Sequence, residues 1–227
     1  MYQPPSDWKG RIDSATDALA VRYHQKVQVK NITELRKIDP SSKRMGIIGF
    51  RCDEGVRRNG GRVGAAEAPT VIRKALTQIP WHHSSHADLV DAGDFYCDSE
   101  KLEEAQEELG IGVCRLLGCG IHPIILGGGH ETLFGHYLGV RDFIGPTAEL
   151  GIINIDAHLD MRPYQTRGSS GTMFRQILDR DFHAGYLCAG VQKSGNTMSL
   201  FKAAEEYGVE MISEELLNID QIDRAVK

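Results

Sequence analysis

The sequence predicts an α/β protein with a mainly parallel sheet. Short apolar runs, most of them rich in Ile, Leu, Val or Gly, recur along the chain with helix-like segments between them. This alternation is typical of parallel strands that are joined by helical crossovers. The predicted strands are Met45–Phe50, Leu89–Asp94, Pro123–Leu126, Gly151–Asp156, Tyr186–Val191 and Val209–Ser213. A chain of 227 residues can bury a sizeable core, as one large domain or two small ones.

The segments between the strands carry helix signals of several kinds. Pro69 stands at the first helical position, which proline prefers, and Ser99 is a suitable N-cap for a long amphipathic helix with glutamate-rich early turns. Residues 1–40, with breakers that include Pro40, are predicted to wrap the surface, with a short helical or irregular segment around Thr33–Ile38. Residues 51–66 are predicted to be a loop. The predicted helices run from Pro69 to Leu76, from Ser99 to about Gly118, from after Glu131 to about Leu138, from Ser199 to Tyr207, and over the C-terminal residues from Ser213.

Charge and cysteine content exclude several classes of protein. The formal net charge of −5 provides no basic field for a polyanion, so we expect no nucleic-acid partner. The five cysteines are scattered and form no C-x-x-C pair, which predicts reduced thiols rather than a zinc ribbon or a disulfide framework. No apolar run approaches the roughly 18 residues of a membrane span. We therefore expect a soluble, cytoplasmic protein that does not associate with membranes.

The segment from Gly151 to Arg162, G-I-I-N-I-D-A-H-L-D-M-R, begins with an apolar run that we expect to form a fully buried strand, and polar residues follow it. Asp156, His158 and Asp160 are two residues apart, and alternate side chains of an extended chain point to the same face. Two carboxylates and an imidazole on one face are typical of a metal site. The alternative is that Asp and His only lead the strand into a turn.

A second polar motif follows the strand that ends at Leu126. Three glycines precede His130, and glycines let a backbone approach another group closely. The segment contains neither G-x-G-x-x-G nor G-K-[ST], so a phosphate-binding loop is not favoured. Since parallel strands have their carboxyl ends at one edge of a sheet, we expect His130 to be a fourth metal ligand. A single histidine at such a position is otherwise more often structural.

Four stretches of the sequence carry a resemblance to a known family. G-G-G-H-E and N-I-D-A-H-L-D resemble the first two signature motifs of the ureohydrolase (arginase/agmatinase) family. D-E-G-V-R-R-N-G-G-R-V-G-A-A and R-G-S-S-G-T-M-F-R-Q-I resemble its formimidoylglutamase branch. The resemblance extends from about Met45 onward and implies one domain, residues 1–227, with three α-β-α layers.

The family's third motif, S-x-D-x-D, does not occur before Lys227. The resemblance therefore implies that the C-terminal strands and two further metal-bridging aspartates are missing, which leaves strands with unpaired edges. Asp53, Asp94 and Glu131 are other acids, but they match nothing in that motif.

The resemblance also implies a binuclear Mn²⁺ site with His130, Asp156, His158 and Asp160 as ligands. Oxygen-rich ligands with some imidazole suit Mn²⁺. A metal-bridging water would attack the amidine carbon of the substrate. No catalytic side chain is assigned, because the position of the arginases' proton-shuttling histidine is Phe174 here.

The implied reaction is hydrolysis of N-formimidoyl-L-glutamate to L-glutamate and formamide, in histidine degradation. An acidic small-molecule substrate needs arginines, and Arg162 stands where arginase-like sequences bind the substrate's α-carboxylate. Ser170 and Gly171 match the family's substrate-contacting S-G, and Arg175, Arg57 and Arg58 are further candidates. The alternative for Arg57 and Arg58 is a solvated surface position. Two other functions remain open: an agmatinase-like enzyme with a cationic substrate, and an inactive family member. The family also makes a homo-oligomer plausible.

Overall fold

The computed structural model describes residues 1–38, 44–83 and 88–217. The chain divides into two compact units, residues 1–144 and residues 145–227. The single domain expected from the sequence stays a prediction. Within the described ranges, none of the helices has the length and apolar character needed to span a membrane.

The strands are β1 (Tyr2–Gln3), β2 (Gln28–Val29), β3 (Arg44–Arg51), β4 (Asp88–Tyr96), β5 (Ile121–Leu126), β6 (Leu150–Ile155), β7 (Ala184–Val191) and β8 (Glu210–Ser213). The helices are α1 (Tyr23–Lys26), α2 (Glu54–Arg58), α3 (Ala68–Leu76), α4 (Leu102–Gly118), α5 (Thr132–Ile144), α6 (Met173–Leu178) and α7 (Met198–Glu206). Short 3₁₀ turns cover Ile32–Glu34, Ala65–Glu67, Lys193–Gly195 and Glu214–Leu216.

The first unit is built on a sheet with the order β1-β4-β3-β5, and β2 also pairs with β4. The pairings of β3 with β4 and with β5 are parallel, and the short β1 is antiparallel to β4. β3 is almost entirely apolar, and Ile48 and Phe50 are fully buried in it. The core combines these side chains with apolar residues of β4 and α4. The carboxyl end of β3, next to β5, is therefore fixed by its packing.

Helix α5, which follows His130, packs closely on α4 through glycines. A Cβ on Gly139 would lie 2.4 Å from the carbonyl oxygen of Gly110. A Cβ on Gly135 would lie 2.8 Å from the side chain of Leu109. Because the helix backbones approach this closely, α5 has a fixed position relative to the sheet that α4 covers.

The second unit contains the parallel sheet β6-β7-β8. β7 is its central strand, and the ring of Tyr186 on β7 stacks on Phe174 of α6 with 3.7 Å between centroids. We expected β6 to be fully buried because of its apolar sequence, but this was wrong. Ile153 and Ile155 are 73% and 83% exposed, so one face of β6 has no covering layer among the described residues.

The fold class and the positions of all six predicted strands are confirmed, with ends that shift by a few residues. Four predictions of local structure need correction. Ser99 is not a helix cap, since its φ is +56° and α4 begins at Leu102. The predicted loop of residues 51–66 contains α2, and α6 was not predicted. The predicted C-terminal helix begins instead with a 3₁₀ turn, and its remainder, like Pro40, lies outside the described residues.

Candidate metal and substrate site

The glycines before His130 serve the packing of their loop against the end of β3. A Cβ on Gly128 would lie 1.9 Å from the carbonyl oxygen of Cys52 and 2.8 Å from that of Phe50. The Gly129 N–H donates to the Cys52 carbonyl oxygen at 2.9 Å. The close approach expected from these glycines is therefore made to the protein's own backbone. It fixes the loop between β5 and α5, in which the side chain of His130 is partly buried.

Glu131, next to His130, is an anchor that sequence reasoning did not identify. Its side chain is fully buried, and its Oε1 accepts the Gly55 N–H at 3.0 Å at the start of α2. Burial raises the pKa of Glu131, while hydrogen bonds from backbone N–H groups that include Gly55 and Val56 oppose this rise. Its carbonyl oxygen accepts the side-chain amide of Gln106 on α4 at 2.8 Å. Glu131 thus ties the His130 loop to two helices.

Asp156 directly follows β6 and begins a turn. Its backbone N–H donates to Ala189 of β7 at 2.9 Å, and its Oδ1 accepts the His158 N–H at 2.9 Å. The His158 Nδ1 lies 3.4 Å from the same carboxylate oxygen. Asp160 has a left-handed backbone with φ +46°, and carboxylate oxygens of Asp156 and Asp160 lie within 4.8 Å of each other.

This geometry corrects the reason given for the grouping of these residues. The strand ends at Ile155, so Asp156, His158 and Asp160 do not share a face through strand alternation. A turn, with one left-handed residue, brings the two carboxylates together instead. Such a turn suits a cation better than a flat strand end would, since carboxylates approach from different directions.

Asn196 holds this turn through hydrogen bonds to its backbone. Its Nδ2 donates to the Ala157 carbonyl oxygen at 2.8 Å, and its Oδ1 accepts the Leu159 N–H at 3.0 Å. Leu159 is fully buried, and its carbonyl oxygen accepts the Tyr186 hydroxyl at 3.2 Å. Sequence reasoning missed Asn196. The available signal was its position after β7, from which the 3₁₀ turn Lys193–Gly195 separates it.

The candidate substrate residues Arg162, Ser170 and Gly171 lie in one connected loop. The Arg162 N–H donates to the Gly171 carbonyl oxygen at 2.9 Å. The Gly171 N–H donates to the hydroxyl of Ser169, which is buried, at 3.3 Å. The Arg162 side chain is exposed and that of Ser170 is partly exposed. The structure therefore brings these three residues together directly after Asp160.

Phe174 and Arg175 on α6 have contacts that belong to the fold of the second unit. Phe174 is fully buried against Tyr186, so it replaces the arginases' histidine with a core side chain. The Arg175 guanidinium lies 5.2 Å from the ring centroid of Tyr207. The Tyr207 hydroxyl in turn donates to the Asp179 carboxylate. Arg175 is thus placed by cation–π packing at the end of α7.

Arg57 and Arg58 lie on α2 and form ion pairs with acidic side chains. The Arg57 Nε lies 2.6 Å from the carboxylate of Glu54, and the Arg58 Nε lies 2.8 Å from it. The Arg57 guanidinium, with help from Arg58, lowers the pKa of Glu54 to about 2. Arg58 also pairs with Glu103 and is 8% exposed, so the solvated alternative is wrong for Arg58. Arg57 is half exposed and pairs with Glu100 as well.

The other acids noted in the sequence have structural partners. Asp94 lies within β4 and pairs with Arg73 of α3 at 2.6 Å. Asp53 accepts the Gly64 N–H at 2.6 Å. Each of these two carboxylates therefore has a partner within the protein, and neither is needed as a metal ligand.

The model of one protein family, described as the arginase family, matches residues 43–227 of the sequence. The chain belongs to the arginase family. The matched region begins just before β3 and contains every candidate ligand and substrate residue named above. The ureohydrolase resemblance of the two motifs is thereby confirmed at the level of the arginase family.

Individual members of the arginase family are similar over nearly the whole chain. A formimidoylglutamase from Geobacillus thermodenitrificans is 52% identical over 99% of this chain, which spans 70% of that protein. The crystal structure of Trypanosoma cruzi formiminoglutamase with Mn²⁺ is 28% identical, with a TM-score of 0.68 over 82% of this chain and 65% of that chain. A putative agmatinase structure from Clostridium difficile is 21% identical with a TM-score of 0.65, and it shares the fold.

Proposed function

We propose that this protein is a manganese-dependent formimidoylglutamase that hydrolyses N-formimidoyl-L-glutamate to L-glutamate and formamide, a step of histidine degradation. The observation that carries the proposal is the 52% identity to the Geobacillus formimidoylglutamase along 99% of this chain. The related Trypanosoma cruzi structure contains Mn²⁺. The chain spans 70% of the Geobacillus protein and 65% of the Trypanosoma chain, so the activity of the polypeptide itself needs direct measurement.

We propose Asp156, His158, Asp160 and His130 as ligands of Mn²⁺. The donor set fits this ion, since carboxylate oxygens and imidazole are the ligands that Mn²⁺ prefers. Oxygens of Asp156 and Asp160 within 4.8 Å of each other are spaced for a shared cation. His130 follows β5 as Asp156 follows β6, each at the carboxyl end of a parallel strand. A bound pair of Mn²⁺ ions would lower the pKa of a shared water and stabilise negative charge on the substrate.

For the substrate we propose that the exposed Arg162 binds a carboxylate of formimidoylglutamate. A planar guanidinium can bind a carboxylate through two parallel hydrogen bonds. Ser170 and Gly171 share a loop with Arg162 and are proposed to contact the same substrate. Arg175 and Arg57 are weaker proposals, because each would have to leave an aromatic or acidic partner.

The experiment is to load the full chain with Mn²⁺ and to measure metal content and hydrolysis together. We expect about two Mn²⁺ per chain, as in other two-metal hydrolases, and turnover of formimidoylglutamate in preference to agmatine. Asp156→Asn removes one proposed ligand. Asp53→Asn is its matched control, because Asp53 accepts a hydrogen bond from the Gly64 N–H and is not a proposed ligand. Preference for agmatine would refute the role of Arg162 and favour an agmatinase. Absence of both metal and turnover in the parent chain would favour an inactive family member.

We also propose a cytoplasmic location and a homo-oligomeric state. All five cysteines are free thiols, which suits a reducing compartment. The oligomer is proposed from the family resemblance alone, and light scattering after size-exclusion chromatography tests it. A monomeric mass across a concentration series would refute the oligomer.

A further inference from the structure

Two cysteines end neighbouring strands in the same register. β3 and β4 are parallel, and their last paired residues are Arg51 and Tyr96. Cys52 and Cys97 are the next residue on each strand, and the Cys97 N–H donates to the Arg51 carbonyl oxygen at 3.2 Å. Neighbouring strands lie about 4.8 Å apart, which falls within the Cα separation that a disulfide requires.

The side chains of both cysteines belong to one part of the core. Cys52 lies in the buried cluster of the first unit together with Phe50 and Phe95, and Cys97 packs against that cluster. Each thiol shifts the pKa of the other, as expected for two thiols that lie near each other. The Cys97 Sγ also donates to the Ser99 carbonyl oxygen at 3.5 Å. The pair therefore combines neighbouring backbone positions with side chains in the same cluster.

The two thiols differ in a way that suits thiol–disulfide exchange. Cys52 is 1% exposed, whereas Cys97 is partly exposed. The neighbouring Cys52 thiol lowers the pKa of Cys97, although burial opposes this effect. The Cys97 thiol and burial raise the pKa of Cys52. Cys97 is thus the accessible thiol that ionises first, and Cys52 is the protected thiol beside it.

We propose that Cys52 and Cys97 form a redox-active dithiol that low-molecular-weight disulfides oxidise to an intramolecular disulfide. The Cys97 thiolate attacks one sulfur of the small disulfide, forms a mixed disulfide and releases one small thiolate. Cys52 then attacks the Cys97 sulfur, its proton passes to the second small thiolate, and that thiol leaves. The protein loses two electrons and two protons, and the small disulfide is reduced to two thiols.

The position of the pair connects its redox state to the His130 loop. The Cys52 carbonyl oxygen accepts the Gly129 N–H and lies against Gly128. Burial raises the pKa of Glu131, which anchors this loop, and the Cys52 thiol opposes this rise. Disulfide formation removes the thiol proton of Cys52. The redox state of the pair therefore changes the electrostatic surroundings of the loop's anchor.

The test counts thiols and needs neither metal nor substrate. The full chain is incubated with oxidised glutathione, denatured in the presence of an alkylating reagent, and analysed by mass spectrometry. We expect the loss of two of the five thiols and a cross-linked peptide that joins Cys52 to Cys97. Dithiothreitol should restore all five. Five alkylated cysteines after treatment, or a cross-link between other cysteines, would overturn the proposal.

Single variants separate the role of Cys97, which attacks the small disulfide, from that of Cys52, which attacks the mixed disulfide. Cys52→Ser should trap one glutathione on Cys97, and Cys97→Ser should leave the remaining thiols reduced. Cys114→Ser is the matched control on α4, where burial and Asp142 raise the pKa of the thiol, and it should still form the cross-link. If Cys52→Ser does not fold, measurements on the parent chain and on Cys97→Ser still test the proposal. Oxidation of Cys52 in Cys97→Ser would show that the assigned order of attack is wrong.

Discussion

The two candidate metal motifs are held in place by different means. The His130 loop is fixed by packing, since Gly128 lies against the main chain of Cys52 and buried Glu131 binds the start of α2. The turn from Asp156 to Asp160 is fixed by hydrogen bonds, two of which involve the neutral side chain of Asn196. A packed loop has no room for added atoms, whereas a hydrogen-bonded turn loses part of its support when a single amide is removed.

Gly128→Ala should have the largest effect, because the added Cβ meets backbone atoms that cannot rotate away. We expect a loss of about 3 kcal/mol in the free energy of unfolding, at the upper end of overpacking costs. Urea denaturation measures it. Gly118→Ala is the control, since a Cβ there meets nothing within 4 Å, and it should be neutral or slightly stabilising. Equal urea midpoints for Gly128→Ala and Gly118→Ala would contradict the conclusion that packing fixes the His130 loop.

Asn196→Ala should test the hydrogen-bonded turn. It removes the acceptor of the Leu159 N–H and one donor to the Ala157 carbonyl oxygen, which still accepts the Gln192 N–H. Leaving the buried Leu159 N–H unpaired should cost about 1–3 kcal/mol, and we expect weaker Mn²⁺ binding. Thermal unfolding and metal titration measure the two effects. Lys193→Ala, an exposed change in the neighbouring 3₁₀ turn, should alter neither quantity. Unchanged metal binding in Asn196→Ala would show that the hydrogen bonds of Asn196 to the turn do not contribute to the metal site.

A pH series should test the ionic network of Glu54, which lies on α2 beside the anchor of the first motif. The folded-state pKa of Glu54 is about 2, below its ordinary value of 4.5, so its stabilisation is complete above about pH 4.5 and is lost as the pH falls through about 2. At pH 6 the free energy of unfolding of the parent should exceed that of Glu54→Gln by on the order of 1–2 kcal/mol, a range that is discounted for the exposure of Arg57. The advantage should shrink towards pH 2. Glu104→Gln, at an exposed pair, should show no such trend.

Arg175→Ala should have the smallest effect on stability. Loss of the contact with the Tyr207 ring should cost about 0.5–1 kcal/mol. If this contact is the main role of Arg175, KM for formimidoylglutamate should stay within about twofold. Arg162→Ala should instead raise KM by roughly tenfold or more, as expected for loss of a charged hydrogen bond to substrate. A large KM increase for Arg175→Ala would restore it as a substrate residue.

The elements that sequence reasoning predicted well depend on local patterns. Each buried strand reads as an apolar run, and polar residues directly after β5 and β6 mark the carboxyl ends of these strands. The same signal, together with the family motifs, selects His130, Asp156, His158 and Asp160 as candidate ligands, and their role as ligands stays a prediction.

The elements that were missed depend on contacts between distant residues. Gly55 and Glu131, which organise α2, are 76 positions apart, and Leu159 and Asn196 are 37 positions apart. Neither pair leaves a periodic trace in the sequence. Ser99 failed as a cap for a related reason: local preference favours serine, but the Lys101 N–H bonds back to Asp98, and the helix starts beyond this turn.

The left-handed backbone at Asp160 has an energetic consequence. This conformation costs most L-residues about 1–2 kcal/mol, and glycine adopts it without strain. Replacement by glycine would therefore ease the turn but delete a carboxylate. If Asp160 binds Mn²⁺ as proposed, its oxygen atoms are retained in a backbone conformation that glycine would adopt at lower cost.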